Sequence, residues 1–261
     1  MIIDCHCHAG RASGWRGPFD TSAPLGRYSK RARAAGIGRT VVFSVFHHDY
    51  AEGNRAVARI VAAAPDHLTG FAFVHAERDK GRIGALVREA VDTFGFRGIK
   101  VHRYDARITR EVCKAALEHD IPILYDPMAE VDPLPLIAGE YPGVNFIIPH
   151  LGSFADDWRA QNAFIGTLAR FDNVYTDTSG VRYFDLLIEA LKAAGPGKIL
   201  FGSDGPFLHP GLELAKVRAL PLRGRDLGLV LGENARRLLR LGESRGPAVP
   251  KLELHGALVD P

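Results

Sequence analysis

The sequence predicts an α/β protein: a single (β/α)8 TIM barrel followed by a C-terminal extension. Eight short apolar segments alternate with stretches of helical spacing along a chain of 261 residues. Such alternation is typical of parallel sheets, and eight repeats within about 240 residues favour one closed barrel over several domains. We therefore expect the barrel to occupy residues 1–242, and an extension containing proline and glycine to occupy residues 243–261.

The alternative fold is an open, doubly wound sheet. That fold would need a glycine-rich phosphate-binding loop directly after the first strand. The segment Gly10–Gly14 does not match that fingerprint, so the barrel is the favoured architecture.

The predicted strands are short, rich in β-branched and aromatic residues, and bounded by glycine, proline or polar residues. We place them at Met1–His8, Thr40–Phe46, Leu68–His75, Phe96–His102, Ile121–Asp126, Val144–His150, Val174–Ser179 and Lys198–Asp204. Pro122 and Pro149 fall within two of these ranges, where proline is unfavourable, although each lies near one end.

The stretches between the strands carry apolar residues three or four positions apart, as amphipathic helices do. We place helices at about 20–35, Glu52–Ala64, Lys80–Phe94, Thr109–His119, Pro133–Tyr141, Ala155–Phe171, a stretch ending at Ala194, Gly211–Ala219 and Asp226–Leu241. Pro65 marks one helix end particularly clearly, because proline cannot continue a helix.

Charge and cysteine content narrow the class of protein. With 33 basic and 30 acidic residues, the net charge of +3 is too balanced to indicate a nucleic-acid or membrane-surface partner. No apolar run approaches the ~18 residues of a membrane span, and a strand beginning at residue 2 leaves no room for a signal peptide. Three cysteines, an odd and low number, are typical of a reducing compartment. We expect a cytoplasmic protein, with a homodimer as the default oligomer.

The first strand ends in a His-x-His pair. Side chains alternate along a strand, so Asp4, His6 and His8 are expected on one face, and Ile3, Cys5 and Cys7 on the other, towards the helices. Two imidazoles on one face make a ready pair of metal ligands. A zinc site that also uses the cysteines is disfavoured by the same alternation.

Further polar residues lie at or near the C-terminal ends of the predicted strands, where barrel enzymes carry their catalytic groups. Of the eleven histidines, seven do so, and three carboxylates and a lysine accompany them: His6, His8, His47, His48, His75, His102, His150, Asp126, Asp177, Asp204 and Lys100. At least one of His47, His48 and His75 is expected to lie on the rim without a role, and Asp177 could instead hydrogen-bond within its own loop.

Three cationic candidates follow one another at the end of the fourth strand. Lys100, His102 and Arg103 could bind a carboxylate of the substrate, because a lysine buried at the barrel mouth needs an anionic partner. The expected partner of the protein is thus a small, anionic molecule.

Six motifs in this order resemble the amidohydrolase superfamily of metal-dependent hydrolases, and most of all its amidohydrolase-related branch, which contains aminocarboxymuconate-semialdehyde decarboxylase. The resemblance spans residues 1 to about 241 and is carried by Ile3–His8, Gly98–His102, Ile121–Leu124, His150–Gly152, Leu200–Phe207 and Leu231–Leu238.

The resemblance implies one divalent metal ion, often zinc, at the mouth of the barrel. It implies His6 and His8 as ligands, Asp204 as a ligand that also handles the proton of the metal-activated water, and His150 as a group that orients water or substrate. The chain departs from the family at Asp126, where the fifth strand usually carries histidine. Either Asp126 is an oxygen ligand, which would favour manganese or magnesium over zinc, or it is not a ligand.

Three hypotheses for function follow. The first is hydrolysis of an amide, lactone or ester bond in a small carboxylated substrate, with Asp204 and His150 as catalytic residues. The second is non-oxidative decarboxylation on the same metal site, which would make the protein a lyase. The third, supported by the departure at Asp126, is a barrel that binds a small molecule or metal without catalysis.

Overall fold

The structure, a computed structural model, describes residues 1–11, 22–154 and 157–242. Its strands are β1 (Ile2–Ala9), β2 (Ile37–Ser44), β3 (Leu68–Gly70), β4 (Ala72–Phe73), β5 (Ile99–His102), β6 (Ile123–Asp126), β7 (Phe146–Ile148), β8 (Val174–Asp177) and β9 (Ile199–Leu200). Pro122 and Pro149 lie just outside β6 and β7, because neither proline nitrogen can donate to a strand ladder. The predicted extension at 243–261 lies outside the described residues.

Within the described residues, the helices match the predicted ones to within a few residues; the predicted starts of the first helix, at about residue 20, and of the helix at Ala155 lie outside them. They are α1 (Leu25–Ala34), α2 (Tyr50–Ala63), α3 (Ile83–Arg88), α4 (Arg110–His119), α5 (Leu134–Glu140), α6 (Trp158–Arg170), α7 (Phe184–Ala194), α8 (Pro210–Arg218), α9 (Gly224–Gly228) and α10 (Asn234–Leu238). Wider π-helical turns at Glu89–Thr93 and Leu229–Glu233 extend α3 and join α9 to α10. Carboxylates cap two starts: Asp49 accepts from Ala51 N, and Asp157 accepts from Ala160 N.

All strand pairs are parallel, in the order of the chain. β1 to β3 form one sheet and β4 to β9 form another. The third predicted strand is divided between them, because Phe71 N donates to Val42 O of β2 whereas Ala72 N donates to Gly98 O, just before β5. At the other junction, Cys5 N donates to Phe201 O, 2.9 Å away, and Cys7 bridges to Gly205. The strands therefore follow one another around a (β/α)8 barrel.

Two apolar layers hold this arrangement. One fills the barrel interior and contains Ile3, Cys5, Val41, Phe43, Phe73, Leu124, Ile147, Tyr175 and Leu200. The other lies between strands and helices and takes the alternate strand residues, such as Val42, Ile123 and Val174. Complete burial of each large side chain contributes about 1.5–3 kcal/mol to the free energy of folding.

No helix in the described part of the chain is long and apolar enough to cross a membrane.

The first strand differs from the sequence prediction in which residues share a face. Asp4 pairs with Thr40 and Cys7 pairs with Val42, so β1 advances three residues where β2 advances two. This β-bulge reverses the alternation. Cys5 consequently packs inside the barrel, and only Cys7 faces the helices. Asp4 does not share a face with His6 and His8; its carboxylate accepts from Tyr28 Oη of α1 and from Ser203 N.

Candidate active site

A cavity of about 150 Å³ opens at the C-terminal ends of the strands, where the sequence predicted the functional residues. Its wall combines acid–base groups with an apolar rim. It is lined by His6, His8, Phe46, His102, Asp126, Met128, His150, Ser153, Phe154, Asp204 and Phe207. Six of the predicted site residues are therefore brought together around one space.

Three of these side chains form a compact ligand group. Asp204 Oδ1 lies 3.4 Å from His6 Nε2 and 3.4 Å from His8 Nε2, and all three residues are buried. Ligands about 2.1 Å from a tetrahedral zinc ion are separated by about 3.4 Å. His6, His8 and Asp204 thus fit a divalent cation, and their single-atom donors all lie close enough together to share one.

The side chains in this group are in the protonation states that metal binding needs. Burial lowers the pKa of His6, and it lowers the pKa of His8 to about 4, so both imidazoles are neutral at neutral pH. Burial opposes ionisation of Asp204, but the hydrogen bond from His8 and the neighbouring imidazoles outweigh it and hold the pKa below its ordinary value. A carboxylate and two neutral imidazoles are the forms that bind divalent metals.

Asp177 and Ser179, at the end of β8, orient two of the imidazoles. Asp177 Oδ2 accepts from His6 Nδ1 at 2.8 Å, and the Ser179 carbonyl accepts from His150 Nδ1 at 2.6 Å. Because each Nδ1 is the donor in these contacts, each imidazole in its neutral form presents the lone pair of Nε2 to the cavity. A carboxylate behind a ligating histidine is a common device for fixing its tautomer.

The backbone adopts left-handed conformations at two functional residues. The φ angles are 60° at His150, 53° at Leu151 and 53° at Asp204. Such conformations cost on the order of 1–3 kcal/mol each for residues other than glycine, and they cluster at functional sites. Hydrogen bonds oppose the cost: Gln161 Nε2 donates to His150 O at 3.0 Å, and Leu151 N donates to Thr176 Oγ1.

Asp126, which the resemblance implied to stand at the position of a ligand histidine, lies outside the three-ligand group. Its Oδ1 accepts from Met128 N at 2.9 Å, and its Oδ2 lies 3.2 Å from His102 Nε2 and 3.7 Å from His150 Nε2. Burial alone would raise the pKa of Asp126, but His102, by charge and hydrogen bond, together with His150 and Lys100, holds it well below its ordinary value.

The three proposed carboxylate-binding residues are not brought together. Only His102 lines the cavity. Arg103 Nη2 forms a 2.7 Å ion pair with Glu130 instead. Lys100 is completely buried, its Nζ has no hydrogen-bond partner among the described residues, and it lies 5.0 Å from the centre of the Phe43 ring. Burial lowers its pKa, while the charges of Asp126, Asp204 and Asp177 oppose that shift.

The remaining strand-end histidines lie away from the cavity wall. His47 and His48 stack on each other with ring centroids 4.7 Å apart and, with Glu52, form a partly exposed group of potential ligands. His47 Nδ1 accepts from Asp49 N, so this nitrogen is already occupied and is not available as a ligand in this arrangement. The sequence analysis did not assign the aromatic residues of the cavity rim to the site, because an apolar side chain near a strand end looks the same whether it packs in the core or lines a cavity.

Comparison with known proteins identifies one family. A family model described as "Amidohydrolase" matches residues 3–241. No curated protein matches the chain.

Solved structures match almost the whole chain at low identity. A 2,6-dihydroxybenzoate decarboxylase from Rhizobium is 16% identical, with a TM-score of 0.70, 93% of this chain and 99% of that chain covered. A dihydroxybenzoic acid decarboxylase from a Polaromonas species, with bound manganese, is 16% identical, with a TM-score of 0.69 and coverages of 93% and 98%. An uncharacterized TIM-barrel protein from Bordetella bronchiseptica is 19% identical, with a TM-score of 0.72 and coverages of 92% and 98%. At such identity these similarities establish the fold.

Proposed function

The chain belongs to the amidohydrolase family, and from that membership we propose that it is a metal-dependent hydrolase acting on an amide, lactone or ester bond of a small carboxylated substrate. The observation that carries this proposal is the ligand group of His6, His8 and Asp204, placed on the wall of a cavity rich in proton acceptors. Asp126, Asp204 and the Nε2 atoms of His6 and His150 all present lone pairs, so the cavity favours a cation and a proton-donating nucleophile such as water.

His6, His8 and Asp204 would hold the cation. Two imidazoles, one carboxylate and an open position are the pattern of a catalytic zinc site, although a structural neighbour contains manganese. A bound divalent cation polarises a carbonyl and lowers the pKa of water from about 15.7 towards 7. We propose zinc as the resident ion, with manganese as the alternative to be tested by metal analysis.

Asp204 is the proposed base. Its ionised carboxylate accepts a proton from water as the water oxygen forms a bond to the substrate carbonyl carbon, and the same proton then passes to the departing nitrogen or oxygen. His150 Nδ1 donates its proton to the Ser179 carbonyl, so the neutral imidazole would accept a hydrogen bond from water or substrate at Nε2. It would stabilise a developing oxyanion only after taking up a proton itself.

Decarboxylation on the same site is the second candidate. The observation that favours it is the aromatic rim of Phe46, Phe154 and Phe207 around a cavity of about 150 Å³, a volume known to accommodate benzene. A single-ring carboxylic acid would fit this space, and the neighbours from Rhizobium and Polaromonas are named as decarboxylases of such acids. The carboxylated ring would lose carbon dioxide and take a proton at the same carbon.

One set of assays separates these reactions. We would determine the metal content of the purified protein, then assay a panel of lactones and amides for hydrolysis and a panel of hydroxybenzoates for carbon dioxide release. His6→Ala and Asp204→Asn are expected to lower turnover by at least about 100-fold, whereas the exposed Asp132→Asn should leave it unchanged. Unchanged turnover in both site variants would refute the mechanism, and metal binding without any turnover would favour a non-catalytic barrel.

A further inference from the structure

Asp126 and His150 lie side by side in the cavity wall, too far apart to form a hydrogen bond with each other. Asp126 Oδ2 and His150 Nε2 are 3.7 Å apart, and both residues are buried in the cavity wall. Their hydrogen-bonding neighbours decide which atoms are donors and which are acceptors.

Both histidine tautomers are fixed by backbone groups. His150 Nδ1 donates to a carbonyl oxygen, that of Ser179, so in the neutral imidazole its Nε2 has only a lone pair. His102 Nδ1 accepts from Tyr104 N, so its Nε2 carries the proton and points it at Asp126 Oδ2, 3.2 Å away. Asp126 Oδ1 already accepts from Met128 N. A ligand in the cavity therefore meets one hydrogen-bond acceptor on Asp126 and, next to it, one acceptor on His150.

Two neighbouring acceptors require a donor between them. Both oxygens of Asp126 already accept one hydrogen bond each, so the acceptor that still lacks a donor is His150 Nε2, and leaving a buried acceptor unpaired costs about 1–3 kcal/mol. The donor must come from the content of the cavity, because His102 is the donor already used and the two atoms themselves have no proton to share.

The apolar walls of the cavity limit which molecule can supply this donor. Phe46 meets His102 edge-on at 4.9 Å between centroids, and Phe154 meets His150 edge-on at 5.1 Å. These rings stand directly beside the two histidines, so the space next to the acceptor pair is flanked by aromatic carbon. A planar ring with a donor on its edge fits this combination of walls and acceptors.

We propose that Asp126 and His150 are specificity-determining residues that recognise a hydrogen-bond donor, an O–H or N–H group, on the ring of a single-ring substrate. This inference rests on the proposed function only in assuming that the cavity binds a substrate. Asp126 thus has a role of its own in place of metal ligation, which accounts for the carboxylate at a position where the family usually has histidine.

The first test measures binding of matched probes to the metal-loaded protein by calorimetry. Phenol and fluorobenzene are similar in size, but only phenol donates a hydrogen bond; 2-pyridone and N-methyl-2-pyridone form the corresponding pair for an N–H donor. A site built to bind a donor discriminates strongly against a ligand that lacks it. We expect the donor of at least one pair to bind about tenfold or more tightly than its partner.

The second test uses Asp126→Asn. Asparagine has one carbonyl oxygen for the donors that Asp126 now satisfies, so its amide NH2 is forced towards one of them or towards the cavity. We expect the donor preference to fall below about threefold, with the metal content unchanged. Asp132→Asn, an exposed aspartate in the next loop, is the matched control and should keep the preference.

Equal binding of donor and non-donor probes to the wild-type protein, in both pairs, would overturn the proposal and assign the acceptor pair to a bridging water. This result needs no variant to fold. Equal binding of the probes would not bear on metal-dependent turnover. Conversely, a protein that keeps the donor preference but shows no turnover would refute the proposed function and leave the recognition role of Asp126 and His150 standing. Retention of the preference in Asp126→Asn would also overturn the assignment to Asp126.

Discussion

At the scale of single residues, the site depends on groups behind the ligands as much as on the ligands. Asp177 was expected either to serve the site or to bond within its own loop, and it does both. Its Oδ2 accepts from His6 Nδ1, while its Oδ1 accepts from Ser179 N at 2.9 Å. Asp177 therefore couples the orientation of His6, a proposed metal ligand, to the turn that also holds His150.

We predict that Asp177→Asn weakens metal binding by about 10–100-fold, as loss of an outer carboxylate does in other metalloproteins. Asparagine has the same shape, but its single carbonyl oxygen carries no charge and cannot accept from both His6 and the Ser179 turn. Competition with a chromophoric chelator measures the affinity. Asp185→Asn, on the exposed start of α7, is the control; equal affinity in both variants would show that His6 does not depend on Asp177.

At the scale of elements, the sequence predicts the order of strands and helices well. Alternating short apolar runs and helical spacing identify each unit, because each strand and each helix buries its own apolar face. The bulge in β1 could not be predicted: one extra residue is invisible in a pattern of period two until the partner strand is known. Its consequence is chemical, since the bulge puts both Cys5 and His6 on the inner side of the barrel.

The left-handed backbone at His150 and Asp204 was equally invisible. Histidine and aspartate have no sequence signature for this conformation, which exists because tertiary hydrogen bonds hold it. Sequence periodicity thus predicts which residues end each strand. It does not predict where their side chains point after the strand has ended, so Arg103 was expected in the cavity and is instead paired with Glu130.

Close packing between adjacent strands leads to a prediction for Gly202. A Cβ atom at this position, just after β9, would lie 2.9 Å from Asp177 Cγ. Gly202→Ala should push Asp177 away from His6, weaken metal binding by at least about tenfold, and lower the free energy of unfolding by about 1–3 kcal/mol. Chelator competition and denaturant unfolding measure the two effects.

Gly166→Ala, in α6, is the matched control. A Cβ atom there meets nothing within 4 Å, and alanine is preferred to glycine inside a helix by about 1 kcal/mol. This variant should be slightly more stable, with unchanged metal affinity. If Gly202→Ala binds metal as tightly as Gly166→Ala does, Asp177 does not need its present position.

At the scale of the whole molecule, the barrel hides all three thiols. Cys5 packs inside the barrel, while Cys7 and Cys113 lie between strands and helices. Burial raises the pKa of Cys113 to about 12 and raises those of Cys5 and Cys7 well above the ordinary value of a thiol. The thiolate is the reactive form, so native protein at pH 8 should react with a disulfide reagent only slowly.

The same reagent in guanidinium chloride should titrate three thiols rapidly. This denatured sample is the internal control, because it shows that no cysteine is already oxidised or blocked. Rapid reaction of two thiols in the native protein would mean that β1 is exposed, and would contradict its position in the barrel wall.

Metal binding should also stabilise the whole fold, because the ligands His6 and His8 on β1 and Asp204 after β9 come from opposite ends of the chain. Any ligand that binds only the folded state stabilises it, by about 2.7 kcal/mol at a free concentration of 100 times Kd. For a protein of this size that corresponds to a rise in Tm of roughly 5–10 °C. We expect chelation to remove this rise, and zinc or manganese to restore it.

Two variants distinguish the proposed metal ligands from residues that only lie near them. Asp204→Asn should abolish the metal-dependent rise in Tm, because it removes the charged member of the ligand group. Asp126→Asn should retain the rise, because Asp126 Oδ2 is directed at His102 and His150 and lies outside that group. Loss of the rise in both variants would instead make Asp126 a ligand. In that case, a larger rise in Tm with manganese than with zinc would indicate a site with more oxygen ligands, because carboxylate ligands favour manganese.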